Sequence, residues 1–213
     1  MQRASGLDTV VMCAAGTMPG ELHKLWKAPR PGAYHMEYGY SCMGYEIAGA
    51  MGIKMAQPDR DVVCMIGDGS YMMANSELAT AAMLGIDMTV VITDNRGYGC
   101  INRLQMGTGG AEVNNLLDHS HHVTPSNIDF AAHAASMGAA AVHVSSIAEL
   151  EQALSRAKSA KGPYVVVIDT DPYPSTPDGG HWWDVAVPEV SERAEVRAKR
   201  AEYEKQIKAR ALN

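Results

Sequence analysis

The sequence has few of the features that would place it in a specialised class of protein. Its 213 residues include one phenylalanine and four cysteines, and no two cysteines form a CxxC pair. Isolated cysteines in apolar surroundings are typical of reduced thiols in a cytoplasm rather than of a disulfide framework or a zinc site. No apolar run reaches the roughly 18 residues that a membrane span needs, and the first residues lack the apolar core of a signal peptide. We therefore expect a cytoplasmic protein.

The charge balance narrows the possible partners. A net charge of −6 and an isoelectric point near 5.7 argue against a general nucleic-acid or membrane-surface binder. With 46% hydrophobic and 20% charged residues, the composition is that of a folded globular protein. We expect one domain over residues 1–187 and a charged helical tail over residues 188–213, packed on the surface or against a partner chain.

Short apolar runs alternate with longer helical patterns along the chain. The runs predict strands at residues 9–15, 61–66, 88–93, 139–144 and 164–169, and the patterns predict helices at 43–56, 70–84, 128–137 and 146–160. Such alternation predicts an α/β fold with an open parallel sheet and helices on both faces. Gly52 interrupts the first predicted helix, and close packing against a neighbouring element or ligand would explain it. Ligands of such sheets bind at the carboxyl ends of the strands.

Two strand ends carry residues suited to a metal ion and a phosphate. The motif GDGS at residues 67–70 follows one predicted strand, and Asn95 and Gly97 follow the next. Asp68, the Asn95 amide and the Gly97 carbonyl offer the oxygen ligands that Mg²⁺ and Ca²⁺ prefer. A helix that begins at GDGS would present free amide groups to a phosphate. A Gly-Asp-Gly after a strand is often only a turn, so the second motif carries much of this interpretation.

Together, GDGS and DNRGYG resemble the signature of thiamine diphosphate-dependent enzymes, a GDG joined by about two dozen residues to an asparagine. The resemblance implies that Asp68 and Asn95 bind Mg²⁺ through their side chains and Gly97 through its carbonyl. It further implies that the backbone amides of Gly69 and Ser70 hold the diphosphate, and that Gly67 and Tyr98 also contact the cofactor.

A third segment, EYGYSCMGYE at residues 37–46, precedes a predicted helix. It is similar to a loop of acetolactate synthase-like enzymes in which methionine precedes glycine. The similarity implies that Met43 wedges the cofactor into a bent shape, and that the Ser41 carbonyl and Met43 amide bind its aminopyrimidine ring. By itself, a methionine buried at a helix start would be the plainer interpretation.

Longer strings, YHMEYGYSCMGYEIAGAMG and TDNRGYGCINRLQ, resemble the C-terminal third of the trihydroxycyclohexane-dione hydrolases of myo-inositol catabolism. This resemblance implies hydrolysis of a carbon–carbon bond in a cyclic 1,2-diketone, a small polyol, to give 5-deoxyglucuronate. An acetolactate synthase-like carboligase or decarboxylase and a non-catalytic cofactor-binding subunit remain alternatives.

Members of that family are much longer and contain further domains. Their activating glutamate belongs to a pyrimidine-binding domain, and no glutamate here has a matching context. The resemblance thus implies that this chain holds no catalytic residue of its own. It would need that domain or subunit as a partner in a homo-oligomer, whether it is a fragment or a subunit of a split enzyme.

Residues 106–127 are rich in glycine and asparagine and are longer than an ordinary connection, which predicts a lid. His119, His121 and His122 lie in it, and solvated loop histidines are a safer interpretation than a metal site because no Asp, Glu or Cys spacing accompanies them. Cys100 has no neighbour that would lower its pKa, so we do not expect a nucleophile.

Five further polar residues flank the motifs and are weaker candidates. Two of them are placed either to face the substrate or to belong to a structural strand: His35 and Glu37. Three are placed to hydrogen-bond a polyol: Asn102, Arg103 and Gln105.

Overall fold

In a computed structural model that describes residues 1–37, 39–177 and 184–211, the described chain forms one six-stranded sheet in the order β2-β1-β3-β4-β6-β5. Every neighbouring pair of strands is parallel. The strands are β1 (Thr9–Cys13), β2 (Tyr34–Met36), β3 (Asp61–Gly67), β4 (Met88–Asp94), β5 (Ala140–Val144) and β6 (Pro163–Asp169). The predicted open parallel sheet is confirmed, with β2 as an additional edge strand.

The helices are α1 (Thr17–Leu25), α2 (Tyr45–Ala56), α3 (Asp68–Tyr71), α4 (Glu77–Met83), α5 (Gly99–Gly107), α6 (Phe130–Ser136), α7 (Ile147–Ala157) and α8 (Ala194–Arg210). Helices α1 and α5 were not predicted. The helix predicted over residues 70–84 is divided into α3 and α4, and between them Asn75 donates its side-chain amide to the Met72 carbonyl at 3.4 Å. Such local side-chain bonds compete with a continuous helix. Within the described residues, no helix is both long enough and apolar enough to cross a bilayer.

Helices cover both faces of the sheet, as predicted. Because side chains alternate along a strand, β3 contributes Val62, Cys64 and Ile66 to one core cluster and Val63 and Met65 to the other. The first cluster packs against α2, α4 and α6, and the second against α1 and α7. The central strands are therefore buried on both faces, which explains why their sequences are apolar almost throughout.

The expectation of close packing at Gly52 is wrong. Gly52 is exposed on α2, and a Cβ atom there would meet no atom within 4 Å. The close approach occurs three residues earlier, at Gly49, where a Cβ would lie 3.0 Å from Met12 Cε of β1. Gly49 thus lets α2 pack closely against the sheet.

Helix α8 lies in the segment predicted as a charged tail. Val196 is its buried residue, and the Arg200 guanidinium donates to the Val187 carbonyl at 2.8 Å. The remainder of the helix is strongly polar, so it covers the surface without contributing to either core cluster.

The strand order creates a crevice at the carboxyl edge of the sheet. Strand β1 connects to β2 on one side, whereas its neighbour β3 connects to β4 on the other. The loops that follow β1 and β3 therefore diverge, and ligands bind at such a switch point in open α/β sheets.

Candidate functional site

Asp68 joins the loops after β3 and β4. It is the first residue of α3 and is only 7% exposed. Its Oδ2 accepts a hydrogen bond of 2.8 Å from the Gly97 amide. The two motifs that lie about two dozen residues apart in the sequence therefore meet, as their positions at adjacent strand ends predict.

Three oxygen-bearing groups converge beside this bond. One terminal atom of the Asn95 amide lies 2.7 Å from the Gly97 carbonyl oxygen and 3.2 Å from Asp68 Oδ1; as nitrogen, it donates to both. A half-turn of the amide places the Asn95 oxygen there instead, so that three oxygens face one point. A carboxylate, an amide and a backbone carbonyl are suitable ligands for Mg²⁺ or Ca²⁺.

The electrostatics of Asp68 also favour a bound cation. The pKa of Asp68 is raised from 3.8 to about 6, chiefly by burial and also by the nearby charge of Asp94, against the opposing effect of hydrogen bonds from Gly97, Gly69 and Asn95. No lysine or arginine of the described residues forms an ion pair with Asp68. A divalent cation would supply the missing positive charge.

Asp68→Asn should stabilise the ligand-free chain at pH 7.5. Because the folded pKa of Asp68 is about 6 and its ordinary value is 3.8, the folded state binds more protons between these values, and this group costs stability as the pH rises. The variant escapes that cost, which is on the order of 1–3 kcal/mol. In thermal unfolding without metal, the variant should have the higher melting temperature at pH 7.5, and the difference should shrink below pH 6. A difference in melting temperature that does not change with pH would contradict the raised pKa of Asp68.

Gly69, Tyr98 and Met43 meet on the open side of the site. A Cβ atom on Gly69 would lie 2.6 Å from Tyr98 Cε1 and 3.6 Å from Met43 Cε. Only glycine therefore leaves room between the two side chains. The structure places the predicted wedge residue beside both predicted cofactor motifs.

Glu46 is a residue of the site that the sequence analysis missed. It is fully buried in α2, and the Ser70 hydroxyl lies 2.8 Å from each of its carboxyl oxygens. The Gly44 amide donates to Glu46 Oε2 at 3.0 Å, and the Ala15 amide donates to Oε1 at 3.3 Å. One carboxyl group thus joins the end of β1, the start of α2 and the first turn of α3.

The predicted aminopyrimidine-binding loop has a defined shape. Glu37 accepts hydrogen bonds from the Tyr40 amide at 3.0 Å and the Cys42 amide at 2.6 Å. These bonds lower the pKa of Glu37, the Cys42 bond contributing most. Ser41 is exposed and takes a left-handed conformation with φ of 51°. Glu37 therefore shapes the loop between Ser41 and Met43, which is a structural role.

The weaker candidates occupy varied positions. His35 lies in β2, and its Nε2 is buried without a hydrogen-bond partner. Cys100 and Arg103 line a cavity of about 530 Å³ between α1, α5 and α8, and none of the predicted cofactor residues lines it. Burial raises the pKa of Cys100, and the neighbouring Arg103 opposes this shift, so the expectation that no neighbour lowers its pKa is wrong. Gln105 accepts a hydrogen bond from Asn115 and so packs within the protein.

The predicted lid is partly fixed in place. We call residues 112–119 the strap, because Leu116 forms an antiparallel bridge with Gly97. Within it, His119 pairs with Glu112. His122 contacts the Leu117 carbonyl at 3.0 Å. The histidines therefore do not form one metal site, and no group of three or more His, Cys, Asp or Glu in the described residues is arranged to hold a metal.

Comparison with known proteins identifies a sequence family. The family described as "Thiamine pyrophosphate enzyme, C-terminal TPP binding domain" matches residues 14–168. The chain is 43% identical over 199 residues to 3D-(3,5/4)-trihydroxycyclohexane-1,2-dione hydrolase of Bacillus cereus (strain AH820) and to that of Bacillus thuringiensis (strain Al Hakam). Each match covers 90% of this chain but only 31% of the relative. The chain thus spans about a third of the length of these relatives.

Two solved structures share the fold. A thiamine diphosphate-dependent 4-hydroxybenzoylformate decarboxylase of Rhodococcus jostii RHA1 matches 80% of this chain and 31% of its own, with a TM-score of 0.71 and 22% identity. A benzoylformate decarboxylase from Polynucleobacter necessarius matches 82% of this chain and 32% of its own, with a TM-score of 0.70 and 19% identity. At these identities the likeness shows the fold alone.

Proposed function

Since the chain belongs to the family of thiamine pyrophosphate enzyme C-terminal TPP-binding domains, we propose that it binds thiamine diphosphate through Mg²⁺ and forms one half of the active site of a carbon–carbon bond hydrolase. The substrate would be a cyclic 1,2-diketone, as the names of its 43% identical relatives suggest. The observation that carries the metal site is the convergence of Asp68, Asn95 and the Gly97 carbonyl.

Each group of the site has a distinct role in holding the cofactor. The Asp68 carboxylate, Asn95 amide oxygen and Gly97 carbonyl would hold Mg²⁺, which neutralises the diphosphate charge. The backbone amides of Gly69 and Ser70 would donate to the diphosphate. The Ser70 hydroxyl would not take part, because it is already bonded to Glu46. Gly67 and Tyr98 complete the cofactor contacts. When bound, thiamine diphosphate supplies the carbanion and electron sink for cleavage.

Met43 and the Ser41 carbonyl would orient the cofactor rings. Met43 is half-buried, and its position beside Gly69 and Tyr98 supports contact with a cofactor whose diphosphate lies at α3. The Met43 amide and Ser41 carbonyl would hydrogen-bond the aminopyrimidine. Glu37 contributes by fixing the loop between them.

The exposed surface around the site is consistent with a partner domain that covers it. Large apolar side chains are exposed there: Tyr40, Tyr45, Met72, Met73, Tyr98 and Ile101. Large exposed apolar patches mark interaction surfaces. We propose that a pyrimidine-binding domain, in this protein or another subunit, covers this surface within a homo-oligomer and supplies the activating glutamate.

The division of the chain follows from this assignment. Residues 1–187 would form the cofactor-binding domain, since β1–β6 and the site lie within them. Residues 188–213 would form the helical tail, and the protein would act in the cytoplasm.

Exchange of the thiamine diphosphate C2 proton into deuterated water tests whether this chain forms only one half of the active site. With this chain and Mg²⁺, binding should be detectable by calorimetry, but exchange should be no faster than for the free cofactor. Added pyrimidine-binding domain should then accelerate it. Acceleration by this chain alone would contradict the missing half, and absence of Mg²⁺-dependent binding would contradict the cofactor assignment.

Turnover by the assembled enzyme separates the candidate reactions. Ring opening of trihydroxycyclohexane-1,2-dione is the expected result. Turnover of pyruvate instead would indicate a carboligase or decarboxylase. Cofactor binding without turnover of either would indicate a non-catalytic subunit.

A further inference from the structure

We propose that Glu112 is a positioning residue for the metal site: it holds the strap, residues 112–119, against the turn that carries the Gly97 carbonyl. This role rests on the proposed function, because it concerns the Mg²⁺ site assigned there. Glu112 itself has no contact with Asp68 or Asn95 among its hydrogen bonds and ion pairs in the described residues.

The strap is bonded to the metal-binding turn through its backbone. The Tyr98 amide donates to the Asn115 carbonyl at 2.7 Å, and the Leu117 amide donates to the Arg96 carbonyl at 2.9 Å. These two bonds lie on either side of Gly97, whose own carbonyl is left for the metal. Any displacement of the strap would therefore move this carbonyl.

Close packing strengthens the connection. Gly97 has a φ of 146°, and a Cβ atom there would collide with the Asn115 carbonyl oxygen and lie 2.9 Å from Leu116 Cα. Leu116 is 3% exposed. The turn and the strap thus touch without an intervening side chain.

Glu112 fixes both ends of the strap to α5. Its Oε1 accepts a hydrogen bond of 2.9 Å from the buried Asn102 amide, and its other oxygen pairs with His119 at the far end of the strap. Separately, the backbone amide of Asn102 donates to the Tyr98 carbonyl at 3.0 Å, which joins α5 to the turn. One carboxylate therefore connects the strap to the helix that follows the turn.

Two other side-chain contacts also hold the strap: Asn115 donates to Gln105 of α5, and Asp118 faces Arg96. Asp118 lies 3.5 Å from the Arg96 guanidinium, and both side chains are largely exposed. Exposed ion pairs of this kind contribute little. Glu112 is the carboxylate whose loss should release the strap.

Comparing the affinities for Mg²⁺ and Ca²⁺ distinguishes a positioning role of Glu112 from a general effect on folding. Mg²⁺ requires near-ideal octahedral geometry, whereas Ca²⁺ accepts flexible arrangements. A loosened Gly97 carbonyl should therefore weaken Mg²⁺ binding more than Ca²⁺ binding. A general loss of folded protein would weaken both equally.

The experiment compares Glu112→Ala and Glu112→Gln with the exposed, charge-matched control Glu192→Gln. Each full chain, in a fixed excess of thiamine diphosphate, is titrated with Mg²⁺ and separately with Ca²⁺ by calorimetry. Glu112→Ala should raise the Kd for Mg²⁺ about tenfold, as loss of groups that orient metal ligands does, with a clearly smaller rise for Ca²⁺. Glu192→Gln should change neither.

Each of the other outcomes would overturn either the role of Glu112 or the proposed function. Equal losses for the two metals, or no loss, would overturn the role of Glu112 while leaving the proposed function intact. Absence of metal-dependent cofactor binding in the unmodified chain would overturn the proposed function itself. If Glu112→Ala does not unfold cooperatively, Glu112→Gln decides by the same comparison of the two metals, because it keeps the side-chain length and an acceptor for Asn102 but replaces the carboxylate that pairs with His119 by an amide.

Discussion

Asp68→Asn should abolish Mg²⁺-dependent binding of thiamine diphosphate while the chain remains folded. The carboxylate is the one charged group among the three proposed ligands, and its buried charge is unbalanced until a cation binds. Replacing it with a neutral amide removes that attraction and one ligand oxygen. We expect the apparent cofactor affinity to fall by more than about 100-fold, the upper range for loss of groups that merely orient metal ligands.

The same variant should be more stable than the unmodified chain in the absence of metal, as argued above. A gain in stability combined with a loss of binding distinguishes a ligand from a structural residue, since damage to the fold would reduce both. Calorimetric titration at pH 7.5 measures the binding. Asp59→Asn, an exposed residue before β3, makes the same charge change and should bind normally. Retained affinity in Asp68→Asn would refute the metal assignment.

Glu46→Ala should destabilise the protein by on the order of 3 kcal/mol. The change leaves the Ser70 hydroxyl and the Ala15 amide without their acceptor and deprives the Gly44 amide of one. Buried donors left unsatisfied cost about 1–3 kcal/mol each, and the cavity adds to this. Relief from burying a carboxyl group offsets part of the sum. Denaturant unfolding followed by circular dichroism gives the difference.

Two matched variants separate the contributions at this position. Glu46→Gln keeps the shape and one acceptor oxygen, so it should cost about 1 kcal/mol. Ser70→Ala removes one donor and leaves the carboxyl group with its two backbone donors. A Glu46→Ala variant as stable as the unmodified chain would show that the cluster is not held together by these bonds.

The main strands could be predicted because each is a short, continuous run of apolar residues. Strands β3, β4 and β6 are buried on both faces, so their sequences are continuous apolar runs. Strand β2 has only three residues, too few to show a period. Helix α1 contains Pro19 and Gly20, residues typical of loops, although proline is tolerated in the first turn of a helix.

The candidate site likewise contains residues that the sequence indicates and residues that only the structure reveals. Asp68 and Asn95 could be named as candidates because each immediately follows a strand, so their positions are set by the sheet. Glu46 and Glu112 were missed because their partners lie on other elements. Glu46 in particular looks like an ordinary polar residue of a helix. Only tertiary packing brings it to Ser70, 24 residues away, and to Ala15, 31 residues away.

The buried Glu46 carboxyl group also makes the shape of the cleft depend on three separate segments. Because its donors lie just after β1, at the start of α2 and in α3, the crevice has its final shape only when all three segments are docked together. The pairing of the central strands involves no contact with this group. The crevice is therefore a property of the assembled fold rather than of any one motif.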